Sequence, residues 1–486
     1  MLSSDEISYV EEEITQWLQS KSLRDQKRAI EYYNGIHDIR HKTRCIKGEN
    51  GELVNMETLP NNRLVNNLYA LSVDQKGNYE FARPPTITTD MPEYRNRLKE
   101  VFDERFMRTL KTLGKDTINC GIGWLYPFVD GGELKFKKLP ATEILPFWKD
   151  NEHNELNFAV RYYTVKDPKL KNGEIDKVEI FTKDRVEYYT WNGHLVPEDV
   201  PADSYNTIIY TDQYQKRVEL GANWGGRVPL IPFRSNSGEI PLINRVKTQQ
   251  DAINMLMSVH QDNLQEDMRS TILVIKNYEG EDLEEFRSSL AATGAVKVST
   301  VDGVSGGVEP LKIEIDSKNY EVGLKELKRS FFLNARMFDP TDELMSSRPN
   351  EVNLKSVYTI INLDCNDLEG EFRASFEHLL WFVNKYLKFT HNEDYSGQKV
   401  KIKFNRDEVI DETARIEQFV MSAGKIPDVV LLTHHPWIDD PEEALDAMKK
   451  QAAEAKIDAL SGLGHNGSVE GRFNMAGGLK NDKKTD

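Results

Sequence analysis

The chain has 486 residues, of which 39% are hydrophobic and 29% charged, and a formal net charge of −16 at pH 7. Its length suits two or three domains or one large multi-part architecture, and no run approaches the roughly 18 apolar residues of a membrane span. The acidic balance, without any dense Lys/Arg block, argues against a protein that grips nucleic acid through a basic patch.

Cys45, Cys120 and Cys365 stand far apart with no C-x-x-C, which excludes a disulfide framework and a cysteine zinc site and fits a reducing compartment. The opening "MLSSDEISYVEEEITQW" is acidic and amphipathic, unlike a secretory signal or a transit peptide, so a soluble cytoplasmic chain is expected. Residues 3 to about 35 read as one helix, capped by Ser3 or Ser4, with Ile7, Val10, Ile14, Trp17 and Leu18 at helical spacing and a stop at Asn34-Gly35. A second helix is expected from about Asn62 to just before Gly77, then an extended stretch ending at Pro84-Pro85. Residues 93–119 read as helix, with Leu98, Val101, Phe102, Phe106, Leu110 and Leu113 on one face.

From Gly123 to about Pro232 the pattern becomes an antiparallel meander, with Asp130-Gly131-Gly132 and Asn192-Gly193 as turn signals. Helix returns from about Ile240 to Met268, where Ile243, Val246, Ala252, Ile253, Leu256 and Val259 mark an apolar face. A small α/β insert follows: strand Thr271–Lys276, helix Asp282–Leu290, and strands Ala295–Val298 and Leu311–Ile315. A helix from Asp316 leads into a polar loop, and a very long helix, about Val352 to Phe389, leaves it. Unbroken, that helix would exceed about 50 Å, with Gly370 permitting a kink and Cys365 reading as a small buried hydrophobe. A strand at Lys399–Arg406, helices at Asp411–Ser422 and Pro441–Ala459, and a polar tail too poor in apolar residues to fold complete the chain.

Chemistry-bearing motifs are scarce. "LGKDT" (Leu113–Thr117) lacks the upstream glycine and the Ser/Thr of a phosphate-binding loop, and there is no H-E-x-x-H. Gly462, Gly464 and Gly467 have dinucleotide-loop spacing but lie in the polar tail, and Gly303, Ser305 and Gly307 link two strands rather than a strand and a helix. His434, His435, Asp439 and Asp440 resemble a divalent-metal cluster, although Asp439 or Asp440 equally serves as cap for the helix starting at Pro441. His260, Asp262 and Glu266 share part of a helix face and read as solvent-exposed. The loop holding Asp339, Pro340, Asp342, Glu343, Ser346, Ser347 and Arg348 has no histidine or lysine to activate a serine, so covalent catalysis lacks a base.

The order of parts, a helix, a small α/β insert, a second helix, a short polar loop and a very long helix, resembles the core of tailed-bacteriophage portal proteins of the siphophage type. The strings "PNNRLVNNLYALSVDQKGNYEFARPP", "GGELKFKKLPATEILPFWKD", "VPLIPFRSN…IPLINRVKTQQDAINMLMSVHQDNLQEDMRSTILVIKNYEG" and "FDPTDELMSSRPNEVNLKSVY" are similar to that family, and the resemblance spans roughly residues 30–460. It implies a mixed α+β portal fold: wing 1–239, stem helix 240–269, α/β clip 270–315, second stem helix 316–338, tunnel loop 339–350, long wing (spine) helix and return strand 351–404, helical crown 405–460 and a disordered tail 461–486. It further implies a ring of about twelve subunits at one capsid vertex. Double-stranded DNA passes through its channel, and the terminase large subunit, head-completion or adaptor proteins, major capsid protein and scaffolding protein are its partners, with no membrane and no cofactor.

Carried over by position, the resemblance makes Asp342, Glu343, Met345, Ser346, Ser347 and Arg348 the tunnel-loop candidates. Lys325, Lys328 and Arg336 become candidates for the stem channel, and Glu281, Asp282, Glu284, Glu285 and Arg287 for the docking face of the clip. About twelve copies at −16 each give very roughly two hundred negative charges, an acidic conduit in which sparse cations centre a duplex without holding it. Two other readings remain open: a capsid or head–tail connector component with no DNA channel, and a metal-dependent nuclease built on His434, His435, Asp439 and Asp440.

Overall fold

In the computed structural model, the described residues are 3–47, 51–55, 59–166, 173–199, 203–204, 208–211, 217–220, 224, 226–269, 272–276, 300–301, 304–305, 307–311, 317–340, 351–406, 419–433, 435, 438 and 441–462. The N-terminal helical stretch is two helices, α1 (Ser4–Leu18) and α2 (Lys21–Tyr33). Helical periodicity runs through the break, but the Ser20 hydroxyl accepts the Leu23 N–H at 3.2 Å and restarts the helix as an N-cap. Ser3 caps α1 in a capping box with Glu6.

A small hairpin, β1 (Cys45–Lys47) and β2 (Leu53–Asn55), precedes α3 (Leu68–Glu80), which starts later than Asn62 and runs past Gly77. Gly77 belongs inside the helix because a Cβ there would fall 2.6 Å from Lys115 Cγ. Strand β3 (Arg83–Thr89) carries Pro84-Pro85 at its start, not at its end. Helices α4 (Pro92–Val101) and α5 (Glu104–Cys120) replace the single expected helix, separated where Asp103 accepts the Phe106 N–H at 2.8 Å.

The meander resolves into β4 (Ile122–Asp130), β5 (Glu133–Leu139), β6 (Ile144–Trp148), β7 (Leu156–Lys166), β8 (Glu174–Phe181), β9 (Arg185–Trp191), β10 (Leu195–Pro197), β11 (Asp203–Ser204), β12 (Ile208–Thr211), β13 (Arg217–Leu220) and β14 (Ile231–Arg234). All pair antiparallel, but in separate sheets: β14-β4-β5, then β10-β9-β8-β7-β6 with β11 on β9, then β12-β13. Gly131 and Gly132 have φ of 62° and 86°, as the two-residue β4–β5 turn between Asp130 and Glu133 requires.

Helix α6 (Ile243–Arg269) leads to β15 (Ile272–Lys276), β16 (Thr300–Val301), β17 (Val304–Ser305) and β18 (Gly307–Leu311). β15 pairs with β18, and β16 with β17. Ser305 therefore sits in a strand, not a nucleophile elbow, and the final strand of the insert includes only Leu311 of the expected Leu311–Ile315, whose other residues lie outside the described ones. Next come α7 (Ser317–Ala335), the 41-residue α8 (Glu351–His391) and β19 (Val400–Asn405), which pairs with β3. In that two-stranded ladder both strands are edges, where proline is tolerated.

The core forms around α8. Ile361, Cys365, Leu368, Phe372, Phe376, Leu379, Val383 and Tyr386 recur every three or four residues and are all buried. Phe372 and Phe376 meet Phe81, Phe102, Phe106, Phe233 and Phe404, with centroids 5.0 to 6.3 Å apart. Each such ring contributes about 1.5–3 kcal/mol on burial. Gly114 lets Phe81 approach α5, since a Cβ there would lie 2.2 Å from the ring, and Lys115 binds Asp74 at 2.7 Å; the "LGKDT" string is packing, not a phosphate loop. A satellite core lies under α1, where Val10 and Ile14 cover Leu145, Val160, Val178, Ile180, Tyr189 and Leu195 of the β6–β10 sheet.

The chain divides into two compact units, Met1–Asp407 and Glu408–Asp486. The second contains α9 (Asp428–Thr433), which periodicity missed within a stretch read as a connection, and α10 (Pro441–Gly462). Ser461 and Gly462, assigned to the polar tail, are the last residues of α10; the rest of the tail lies outside the described residues.

Candidate functional site

The helices implicated by sequence, α6 and α7, pack together through Leu256 against Gly323 and His260 stacked on Tyr320 at 3.7 Å. On α7, Phe331, Phe332 and Ala335 are buried, and Leu324 and Leu327 are packed against the core. Lys318, Lys325 and Arg329 of the same helix are all exposed. Spacings of seven and eleven residues keep these three within about 40° of one another on a helix of 3.6 residues per turn. Val322 and Leu333, 61% and 53% exposed, lie along the same stripe, and Glu326 borders it. Lys325 thus belongs to a cationic stripe that includes Lys318 and Arg329, two residues the sequence reading missed although their i, i+7, i+11 spacing was visible. Lys328 is half-buried and about 100° round from Arg329. Arg336 closes α7 with its guanidinium 2.7 Å from Asp364 and 3.9 Å from Asp367.

Asp364, on α8, is the hub of a buried ion cluster. Oδ2 holds Lys76 of α3, while Oδ1 holds Arg336 and, at 3.5 Å, Arg245 of α6. Burial pushes the Lys76 ammonium down to about 8. One turn along α8, Arg406 pairs with Glu80 at 2.8 Å and Glu369 at 3.0 Å and donates to Asn366 at 2.9 Å. Burial pushes the Glu80 carboxyl up to about 7, against the pull of Arg406, and its Oε1 has no hydrogen-bond partner among the described residues. Burial likewise pushes the Cys120 and Cys365 thiols up to about 12, which makes both unreactive.

The root of α6 is held by a polar clamp. Gln250, Asn254, Ser258 and Asp262 recur every fourth residue and are buried, so the expectation that Asp262 is solvent-exposed is corrected. They bind an extended segment that periodicity had assigned to helix. Asp262 accepts the Asn62 N–H at 2.6 Å, Ser258 the Leu64 N–H at 2.9 Å, Asn254 the Asn66 N–H at 2.9 Å and Gln250 the Tyr69 N–H at 3.0 Å. Lys42 closes the end by binding Asp262. Burial works to raise the Asp262 carboxyl, but the Asn62 amide and Lys42 outweigh it and hold it below its ordinary value. These side chains replace the missing intrahelical partners of residues 62–67, and that is why the segment is not helical.

His37 completes the clamp. Its Nε2 lies 3.0 Å from the Tyr32 carbonyl and its Nδ1 2.8 Å from the Asn254 amide nitrogen, so Nε2 carries the proton and Nδ1 accepts. Burial holds its pKa below 6.5. The unfolded chain therefore binds the extra proton first, and the His37 contribution is complete above pH 6.5 and falls as pH drops below it, at no more than about 1.4 kcal/mol per pH unit. Glu80 acts with opposite sign: its folded value exceeds the unfolded 4.5, so its contribution falls as pH rises from 4.5 to about 7. Urea titrations of wild type and His37→Gln between pH 5 and 8 isolate the histidine, because Glu80 is common to both, and the stability of wild type relative to the variant is expected to fall as pH drops below 6.5. An unchanged slope would remove His37 from the account.

Asp342, Glu343, Met345, Ser346, Ser347 and Arg348 lie outside the described residues, as do Glu281, Asp282, Glu284, Glu285 and Arg287. So do His434, Asp439 and Asp440; His435 is described, with its ring edge-on to Phe419 at 4.6 Å. Among the described residues no group of three or more His, Cys, Asp or Glu is placed to hold a metal ion.

Residues 19–458 match the protein family described as "Phage portal protein, SPP1 Gp6-like", and the chain belongs to that family. The family expected from the order of elements is thus borne out. The chain is 27% identical over 428 residues to the portal protein of Bacillus phage SPP1, spanning 87% of this chain and 83% of that protein. It is also 27% identical over 452 residues to the portal protein of Clostridium phage phiCD119, spanning 88% and 94% respectively. A chain of the solved "Virion of native gene transfer agent (GTA) particle" superposes with a TM-score of 0.42 at 13% identity, over 75% of this chain and 89% of that one.

Proposed function

We propose that the chain assembles as a ring of about twelve copies at one capsid vertex and forms the channel through which double-stranded DNA is packaged and later ejected. In this reading α6 and α7 are the stem, 270–315 is the clip that docks the terminase large subunit and then head-completion proteins, and 339–350 is the tunnel loop at the channel. Residues 1–239 and 351–404 form the wing against the major capsid and scaffolding proteins, and 405–460 the crown. The protein does no catalysis of its own; it is a structural component of the virion, made in the host cytoplasm. None of the described helices is long and apolar enough to cross a membrane.

The observation that carries the reading is the family match over residues 19–458. The cationic stripe on α7 supports a lumen-facing role for Lys318, Lys325 and Arg329. In a ring whose subunits each carry −16, isolated rows of cations steer a duplex to the axis, whereas a wholly basic wall would bind its phosphates and stop it. Negative-stain microscopy with mass by light scattering tests the assembly. Rings of about a dozen copies around a hole wide enough for duplex DNA are expected. A chain that stays monomeric at high concentration and never enters heads would overturn the reading.

A further inference from the structure

The end of α7 is shaped by an arginine in a backbone conformation that arginine disfavours. Arg336 has φ of 57°, the left-handed region in which glycine is at home. Around it the helix closes with two backbone bonds, Arg336 N–H to Leu333 O at 3.1 Å and Met337 N–H to Phe332 O at 2.9 Å. This is a Schellman closure, in which the left-handed position is usually glycine because a Cβ there is strained. A strained residue persists only where its surroundings over-determine it. Here the surroundings are Asp364, 4% exposed, which receives Arg336 Nη1 at 2.7 Å while also holding Lys76 of α3 and Arg245 of α6. One carboxylate of α8 therefore ties together α3, α6 and the end of α7. Beyond Arg336, Met337 is buried and the Phe338 ring lies 5.5 Å from Tyr358 of α8.

We propose that Arg336 is a positioning residue: its side chain, anchored on Asp364, selects the left-handed turn and so fixes the direction in which the chain leaves α7 along α8. Its consequence for DNA passage rests on the portal reading; its effect on chain direction does not. Substitution by alanine isolates the effect, because Arg336→Ala keeps the Cβ that disfavours the left-handed turn and removes the anchor, and the half-exposed side chain makes misfolding of the variant avoidable. Amide hydrogen exchange of purified protein is expected to show the Met337 N–H exchanging at least about tenfold faster in Arg336→Ala, with protection restored in Arg336→Gly, where the turn needs no anchor, and the Ile253 N–H of α6 unchanged. Unchanged Met337 exchange in the alanine variant would overturn the proposal. In phage supplied with the variant, heads are expected to incorporate it yet hold at least about tenfold less DNA; full DNA content despite faster exchange would overturn the functional half. If the wild-type chain itself supports no DNA-filled heads, the portal reading fails, and the exchange result still decides the role of Arg336.

Discussion

Asp364→Ala is expected to cost about 3–5 kcal/mol of folding stability at neutral pH, the range for removing one partner of a buried ion pair. The carboxylate is 4% exposed, as is Lys76, which it binds through Oδ2. Its Oδ1 bonds to Arg336 and Arg245 disappear with it, but those guanidiniums are partly solvated and can recover water. The cost is therefore concentrated on Lys76, left as a buried ammonium without its directly bonded carboxylate. Because burial already brings Lys76 down to about 8, the variant escapes by releasing that proton. The unfolded chain keeps it until about pH 10.5, so the variant should regain stability as pH rises toward 9. Denaturant unfolding at pH 7 and pH 9 reads both effects. A loss below about 1 kcal/mol with no recovery at high pH would mean that the cluster behaves like a solvated surface pair.

Reversing the stripe on α7, with Lys318→Glu, Lys325→Glu and Arg329→Glu together, should leave assembly intact and lower DNA per head by at least about tenfold. In the proposed ring of about twelve copies, roughly three dozen cations would be exchanged for as many anions, which turns steering into repulsion if the stripe faces the lumen. All three residues are exposed, so little folding cost is expected. Lys328→Gln serves as the control, since Lys328 is half-buried and off the stripe. Nuclease-protected DNA in purified heads is the readout. Wild-type DNA content in the triple variant would take α7 off the lumen.

Much of the architecture was legible because it depends on neighbours in sequence. The apolar repeat from Ile361 to Tyr386 specifies one long buried helix, the Asp130-Gly131-Gly132 turn specifies a hairpin, and the order of helices, insert and long helix specifies the family. Three exposed cations at i, i+7 and i+11 need only the 3.6-residue period to be brought into one row. Lys328 is set apart from Arg329 by the same period, whereas Arg336 is set apart by its bond to Asp364.

What the sequence by itself determined, then, is local: helical and strand periods, the turns at Asn34-Gly35 and Asn192-Gly193, and the absence of a complete phosphate-binding or H-E-x-x-H motif. Tertiary structure alone decided that residues 62–67 are not helical, because the groups satisfying Asn62, Leu64 and Asn66 come from α6, 188 to 200 positions away. It also decided that Gly77 sits inside a helix, where Lys115 presses against it. And it placed three cations on Asp364 from positions 28 to 288 residues distant. The physical reason is common to the first and the last of these. A periodic pattern reports which face of an element is apolar, whereas a buried polar group is stable only beside its partner, and that partner is chosen by packing.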